Sequence, residues 1–106
     1  MALFHKEKEE KETYTPSKDR IIFEQLEDND LRAKNLVLKM KNGNPLVLNF
    51  GELDVTAANK LLGFFTGATV ALEGKLLRIN DRTYLFARLE DFEDGTLNDF
   101  VQAHLK

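Results

Sequence analysis

Residues 46–74, LVLNFGELDVTAANKLLGFFTGATVALEG, decide the fold of this chain. The stretch opens with five residues that are apolar apart from Asn49, a pattern typical of a strand buried on both faces. Asp54 then stands where its side chain accepts hydrogen bonds from the first turn of a helix. The apolar spacing predicts that this helix covers 55–66 and ends at Gly67, because glycine readily adopts a left-handed conformation.

The segment before this stretch predicts a strand followed by a helix. Residues 20–26, RIIFEQL, are rich in branched and aromatic side chains, which favours a strand. A helix is predicted over 30–41, and its apolar side is expected to lie on the sheet. Leu31 and Leu38 point away from that side. Two leucines on the outer face indicate a second contact surface.

The segment after it predicts a hairpin and a last helix. A strand is expected from Ala68 to Ile79. Its apolar phase falls at even positions before Gly74 and shifts to odd positions after it, which predicts a bulge or kink at Gly74. Residues 83–89 form the returning strand. An acidic loop over 90–94 leads to a short amphipathic C-terminal helix. The second face of the sheet needs a cover, which is either this helix or a second copy of the chain.

The order of elements is β-α-β-α-β-β with one added helix. This order predicts an α/β fold in which two helices pack on a small mixed sheet as a two-layer sandwich. A length of 106 residues fits one domain. We assign 1–18 to a charged, disordered N-terminal tail, 19–90 to the core domain, and 91–106 to the acidic loop and C-terminal helix.

Composition excludes several classes of protein. The chain has no cysteine, so it contains neither a disulfide framework nor a zinc-thiolate site. No run approaches the roughly 20 apolar residues of a membrane-spanning helix, and charged residues follow Phe4 almost directly, unlike in a secretory signal peptide. We therefore expect a cytoplasmic protein. Leu3 and Phe4, next to many glutamates, predict at most a weak contact with a membrane surface.

The residue types that carry catalysis are not arranged for it in this sequence. Both histidines, His5 and His104, lie in terminal segments, where a general base is not held rigidly. The glycines lack the spacing and the Lys-Ser/Thr pair of a phosphate-binding loop. The acidic residues of 90–94 do not have the spacing of an EF-hand and predict a solvated loop. We expect no enzymatic activity, no catalytic residue, no metal site and no cofactor.

Lys60 and Phe64 are the candidate partner-binding residues. Phe64 falls at the border between the apolar and polar faces of the second helix, one turn from Lys60. In this arrangement Phe64 anchors an apolar side chain of a peptide, and Lys60 attracts the acidic part of the same peptide. The alternative is that Phe64 only closes the edge of the core.

RNA binding is the competing hypothesis. The first helix carries four basic residues, and the order of strands resembles small RNA-binding α/β domains such as the C-terminal domain of bacterial translation initiation factor three. Those basic residues are Arg32, Lys34, Lys39 and Lys41. They are spread around the helix, the net charge of the chain is −3, and no aromatic pair projects from a predicted strand as a stacking platform. Nucleic acid is therefore not the expected partner.

Taken in order, these segments resemble the core domain of the SepF family of bacterial cell-division proteins. The resemblance runs from about Arg20 to Arg88. It rests on four segments that match the family in order and spacing, namely Leu48-Asn49-Phe50, Phe64-Phe65-Thr66-Gly67, Ala71-Leu72-Glu73-Gly74 and Tyr84-Leu85-Phe86.

The resemblance implies a non-enzymatic adaptor that forms a homodimer and binds the C-terminal tail of the tubulin-like GTPase FtsZ. It further implies tethering of FtsZ at the division septum, on the inner face of the membrane, and assembly into polymers. The tail of FtsZ is short, with acidic and apolar residues, and in the family it docks beside the second helix. Lys60 and Phe64 occupy that place here.

The resemblance also bears on contacts between copies. The family has a Gly-Gly break that is associated with contacts between dimers, and its positions are Glu73 and Gly74 here. Together with Leu31 and Leu38, these residues are the candidate dimer or polymer contacts. The sequence departs from the family at Glu73, in the short charged tail that stands in place of an amphipathic membrane helix and a linker, and in the added C-terminal helix.

Overall fold

The computed structural model describes residues 15–105. The predicted contacts of Leu3 and Phe4 with a membrane lie outside the described residues. The main elements in chain order are β1 (Ile22–Gln25), α1 (Asp30–Lys41), β2 (Leu46–Asn49), α2 (Val55–Ala71), β3 (Gly74–Asn80), β4 (Thr83–Arg88) and α3 (Thr96–His104). Two short 3-10 helices, Ser17–Arg20 and Leu89–Phe92, precede β1 and follow β4.

The four strands form one mixed sheet in the order β1-β2-β4-β3. β1 and β2 are parallel, because α1 returns the chain to the end of the sheet at which β1 begins. β4 runs antiparallel to both β2 and β3. The sheet is therefore mixed, and the predicted α/β fold class is confirmed.

Two hydrophobic clusters occupy the two faces of the sheet. Alternate residues of β2 point to opposite faces, so Leu46 and Leu48 join one cluster and Val47 joins the other. The first cluster packs beneath α1 and α2. The second cluster includes Leu97 and Val101 of α3. The C-terminal helix is thus the cover of the second sheet face, which the sequence had left open between this helix and a second copy.

The start of each long helix is fixed by a side-chain cap. Asn29 accepts a hydrogen bond from the amide of Arg32 at 2.9 Å, and Asp54 accepts one from the amide of Ala57 at 2.8 Å. The predicted bounds of α1, 30–41, are confirmed. Asp54 is also confirmed as the cap of α2.

The predicted end of α2 is wrong. The helix does not stop at Gly67 and no strand begins at Ala68; the helix continues to Ala71. Its apolar stripe extends past Gly67, because the side chain of Thr69 is buried and Leu72 packs on the core. The left-handed residue that ends the turn is Glu73, with φ of 57°. Packing against the sheet stabilises the additional turn at a position where local propensity favours an end.

The predicted bulge at Gly74 is also wrong. Gly74 is the first residue of β3, and it pairs with Arg88. The apparent slip of the apolar phase arises because the residues before Gly74 belong to a helix. The observed irregularity lies between Arg78 and Asn80, so that Ile79 has no partner in the register.

The acidic segment 90–94 is only partly the solvated loop that was predicted: Glu90, Glu93 and Asp94 are exposed, but Asp91 is not. Asp91 is buried and forms ion pairs with two arginines. Its carboxylate accepts hydrogen bonds from Arg20 at 2.9 Å and from Arg88 at 3.0 and 3.2 Å. Arg20 also donates to the carbonyl of Gly43, just beyond α1. This cluster joins the end of α1, the 3-10 helix before β1, the end of β4, and the segment that leads to α3.

The segment 15–18, which the sequence analysis places in the tail, contacts the start of α3. The amide of Ser17 donates to Asp94 at 2.9 Å, and the amide of Lys18 donates to the Thr96 hydroxyl at 3.0 Å. These contacts hold the segment 15–18 against the same face of the sheet as α3. Within residues 15–105, no helix is long and apolar enough to cross a lipid bilayer.

Candidate functional site

A groove of about 350 Å³ lies between the start of α1 and the middle of α2. Its floor and rim are formed by Asp30, Ala33, Lys60, Leu61 and Phe64. The two helices pack side by side on the same face of the sheet: α1 connects β1 to β2, and α2 connects β2 to β3. The groove therefore combines apolar walls with charged residues at one end.

Phe64 forms one wall of the groove and is supported from below. The residue is 42% exposed. The ring packs edge-on against the ring of Phe65, with centroids 5.4 Å apart and planes at 72°. Phe65 is fully buried and contacts Phe86 of β4 at 5.6 Å between centroids. An exposed aromatic ring on a rigid base suits the role of an anchor for an apolar side chain.

Lys60 lies at the charged end of the groove and already has two partners. Its ammonium group is 2.6 Å from a carboxylate oxygen of Asp28 and 3.1 Å from one of Asp30. Hydrogen bonds to Asp28 and then to Asp30 raise the pKa of Lys60 above its ordinary value. The structure thus places Lys60 and Phe64 together on one groove, and it adds Asp28 and Asp30, which the sequence analysis did not include.

The signal for these two carboxylates was present in the sequence. Residues 27–30 read EDND, and Asp30 is the first residue of α1. Their pairing with Lys60, however, joins residues 30 and 32 positions apart. A helical wheel for one helix does not contain that information, because it describes only neighbours on the same helix.

A second concavity of about 460 Å³ adjoins the charged end of the groove. It lies between the two segments that lead into α1 and α2, and it is lined largely by polar residues of 25–28 and 52–54. Asp28 lines this concavity and also pairs with Lys60. The surface around Lys60 is consequently acidic rather than basic.

The basic residues of α1 do not form a single patch. Arg32 donates to Glu24 of β1 through two nitrogens, one of them at 2.8 Å. The hydrogen bond from Arg32 lowers the pKa of Glu24, against the effect of burial, which raises it. Lys34, Lys39 and Lys41 are exposed and have no ion pair within the described residues. Arg32 therefore serves the fold, and the remaining three are solvated lysines.

The other candidate residues lie away from the groove. Leu31 and Leu38 are on the outer face of α1, where the two residues are 67% and 45% exposed. Glu73 and Gly74 are at the far end of α2. The structure therefore separates the predicted contacts between copies from the predicted peptide site.

A model of the family described as "Cell division protein SepF" matches residues 24–87. The chain belongs to the SepF family. The matched region contains α1, α2 and the whole groove, together with the candidate residues Lys60 and Phe64. It excludes α3, so the helix that covers the second sheet face lies outside the part that defines the family.

Individual SepF proteins support the same assignment. The chain is 30% identical over 69 residues to the cell division protein SepF of Lactobacillus helveticus, covering 65% of this chain and 48% of that protein. It is 34% identical over 61 residues to the SepF protein of Carboxydothermus hydrogenoformans, covering 58% and 44%. The SepF protein of Coprothermobacter proteolyticus is 31% identical over 70 residues, covering 62% and 50%. The chain spans about half the length of these curated relatives.

The acidic residues of 90–94 are the other candidate metal ligands. Asp91 is occupied by Arg20 and Arg88. Within residues 15–105, no group of three or more His, Cys, Asp or Glu side chains is arranged to hold a metal ion. The groove between α1 and α2 is the candidate site in which the predicted residues Lys60 and Phe64 lie together.

Proposed function

We propose that this chain is a non-enzymatic cell-division adaptor that binds the C-terminal tail of FtsZ in the groove between α1 and α2. The observation that carries the proposal is Phe64, which is 42% exposed beside an apolar groove in a chain of the SepF family. An exposed phenylalanine that lines a groove and packs on a buried aromatic ring is typical of a binding hot spot.

Phe64 and Lys60 suit a short tail with apolar and acidic residues, although Asp28 and Asp30 make the surface around Lys60 acidic. Phe64 supplies most of the apolar contact area, because Ala33 and Leu61 line the groove but are almost completely buried. Lys60 supplies a cation one helical turn away from Phe64. A tail that inserts an apolar side chain beside Phe64 brings a neighbouring carboxylate within reach of Lys60. In this arrangement the apolar anchor contributes most of the affinity, and the charge pair fixes the orientation of the tail.

We further propose that the chain acts as a homodimer in the cytoplasm, at the division septum. Leu31 and Leu38 lie on the outer face of α1 and are the proposed contacts, because they form an apolar ridge that the chain itself does not cover. Glu73 and Gly74 remain candidates for contacts in a higher polymer. We also propose a weak membrane contact through Leu3 and Phe4. The chain would then help to tether the division ring.

The test of the tail site is a titration with a fluorescent peptide that copies the FtsZ C-terminal tail of the same organism. We expect saturable binding that is lost in Phe64→Ala. Because Phe64 is partly exposed, this variant should lose about 1–2 kcal/mol of stability, well below the roughly 3–5 kcal/mol of a fully buried phenylalanine. Val70→Ala is the matched control, since Val70 is an exposed apolar residue of the same helix outside the groove.

Two results contradict the proposed site. The first is a wild-type protein that is folded and does not bind the peptide. The second is binding that survives in a folded Phe64→Ala variant. The family assignment does not favour RNA binding, and a folded protein that ignores the tail but binds RNA in a salt-dependent manner would restore that hypothesis.

The proposed dimer has its own test. Leu38→Asp places a charge on the apolar ridge of α1, and sedimentation velocity should then show a monomer where the wild type shows a dimer. Val70→Asp is the control, because Val70 is 69% exposed on α2 and carries an equivalent change. A wild-type chain that is monomeric at high concentration, or a Leu38→Asp variant that is still a dimer, contradicts this assignment.

A further inference from the structure

The ammonium group of Lys60 is held by the chain's own carboxylates. Asp28 precedes α1 and Asp30 begins it, and their oxygens are 2.6 and 3.1 Å from Lys60. Together the three side chains carry a net charge of −1, since one ammonium faces two carboxylates. An acidic tail that approaches Lys60 therefore meets like charges at the same place.

These internal pairs are accessible to exchange. Of the three side chains, Lys60 is 49% exposed, Asp28 is 52% exposed and Asp30 is 84% exposed. Ion pairs at such exposure are weak, because water and salt screen them and long side chains lose freedom when they form. A carboxylate of the partner that is held nearby by an apolar anchor is able to take their place.

We propose that Asp28 and Asp30 are internal competitors that occupy Lys60 until the acidic part of the tail peptide displaces them. The inference rests on the proposed function, because it concerns the same groove. Binding then exchanges one set of carboxylates on Lys60 for another, without a change in the number of charges on the chain. The competitors lower the affinity for every acidic peptide, so that a peptide must also fill the apolar groove beside Phe64 in order to bind.

The test compares two double variants in the peptide titration. Asp28→Asn/Asp30→Asn removes both competitors and keeps their shape; Asn29, which caps α1, is unchanged. We expect this variant to bind the acidic tail about three- to tenfold more tightly than the wild type, as the loss of two weak surface pairs implies. Glu27→Gln/Glu52→Gln is the matched control, because it removes the same charge from residues that have no ion pair with Lys60.

Two further measurements assign the gain to Lys60. In the triple variant Asp28→Asn/Asp30→Asn/Lys60→Met, the tighter binding should disappear. It should also disappear when the carboxylates of the peptide are replaced by amides. Thermal unfolding of each variant verifies that α1 is intact.

The outcomes separate this inference from the function on which it rests. If the wild type binds the tail and Asp28→Asn/Asp30→Asn binds it equally well or less well, the internal competitors are disproved and the tail site stands. If the control variant gains as much as Asp28→Asn/Asp30→Asn, the effect is general electrostatics and the inference is also disproved. If neither the wild type nor any variant binds, both the tail site and the internal competitors are disproved.

Discussion

Gly74 lies so close to Ala87 of the neighbouring strand that a Cβ atom built on it would be 2.2 Å from the Ala87 carbonyl oxygen. The preceding residue, Glu73, has a φ of 57°, a left-handed value that glycine adopts without cost. The turn from α2 into β3 therefore favours glycine at two successive positions. This gives the Gly-Gly break of the SepF resemblance a reason within the chain, in addition to any contact between copies.

Gly74→Ala should destabilise the fold strongly. The added methyl group meets a backbone carbonyl, which cannot rotate away as a flexible side chain would. We expect a loss of about 3 kcal/mol, at the upper end of the usual cost of overpacking. Urea unfolding followed by circular dichroism measures it. A loss below about 1 kcal/mol would mean that β3 and β4 separate easily at this point.

Glu73→Gly should have the opposite effect. Glycine removes the strain of a left-handed glutamate, and this gain exceeds the larger entropy of glycine in the unfolded chain. We expect an increase of about 0.5–1 kcal/mol in the free energy of unfolding. Glu73→Ala is the control, because alanine keeps the strain and should bring no gain. Equal stability of the two variants would contradict the assigned backbone conformation.

Elements whose signals are local could be predicted from the sequence. The bounds of α1 were predicted correctly because its cap, its apolar stripe and its glycine-containing end all lie within neighbouring residues. The buried character of β2 followed from its continuous apolar run. Lys60 and Phe64 were predicted as a pair for the same reason, since both residues lie on one helix within one turn of each other; both line one groove, and their binding role stays a prediction.

Features that depend on distant residues could not be predicted in this way. α2 continues past Gly67 because Thr69 is buried and Leu72 packs against the core. Patterns among neighbouring residues do not predict this packing. Asp91 is buried because two arginines from other elements converge on it. Lys60 is paired because the segment before α1 comes near α2. In each case the deciding partner is brought near by the topology of the sheet.

Asp91→Asn should loosen the C-terminal segment. Asparagine keeps the volume but leaves Arg20 and Arg88 facing an amide instead of a carboxylate. The two arginines are 26% and 23% exposed, so we expect a loss of about 2–3 kcal/mol, somewhat below the value for a completely buried pair. Urea unfolding at neutral pH measures the change. Glu93→Gln, an exposed neighbour, is the control, and an equal effect of both substitutions would contradict a specific role for Asp91.

Glu24→Gln should change how stability depends on pH. Because the hydrogen bond from Arg32 lowers the pKa of Glu24, the folded state favours the ionised carboxylate. This contribution is present above the unfolded pKa of about 4.3 and is lost as the pH falls through the lower folded value. The wild type should therefore be more stable than Glu24→Gln at neutral pH, and the difference should vanish in acid.

Urea unfolding curves for both proteins across the acidic range provide this measurement. Arg32→Gln should flatten the pH dependence in the same way, because it removes the other partner of the pair. If the difference between wild type and Glu24→Gln persists unchanged below the folded pKa, the contribution comes from packing and not from charge.

Gly67→Ala should stabilise the isolated chain. Gly67 lies inside α2, and, apart from its chain neighbours and the nearby backbone of its own helix, no atom of the described residues lies within 4 Å of a Cβ atom built on it. Alanine at an exposed helical position is favoured over glycine by about 0.8–1 kcal/mol. We expect that increase in the free energy of unfolding at low protein concentration, with Gly63→Ala as a second position of the same kind. A decrease at low concentration would contradict the helical assignment at Gly67. Stabilisation at low concentration together with weaker self-association would place α2 in the contact between copies, in addition to the proposed ridge of Leu31 and Leu38.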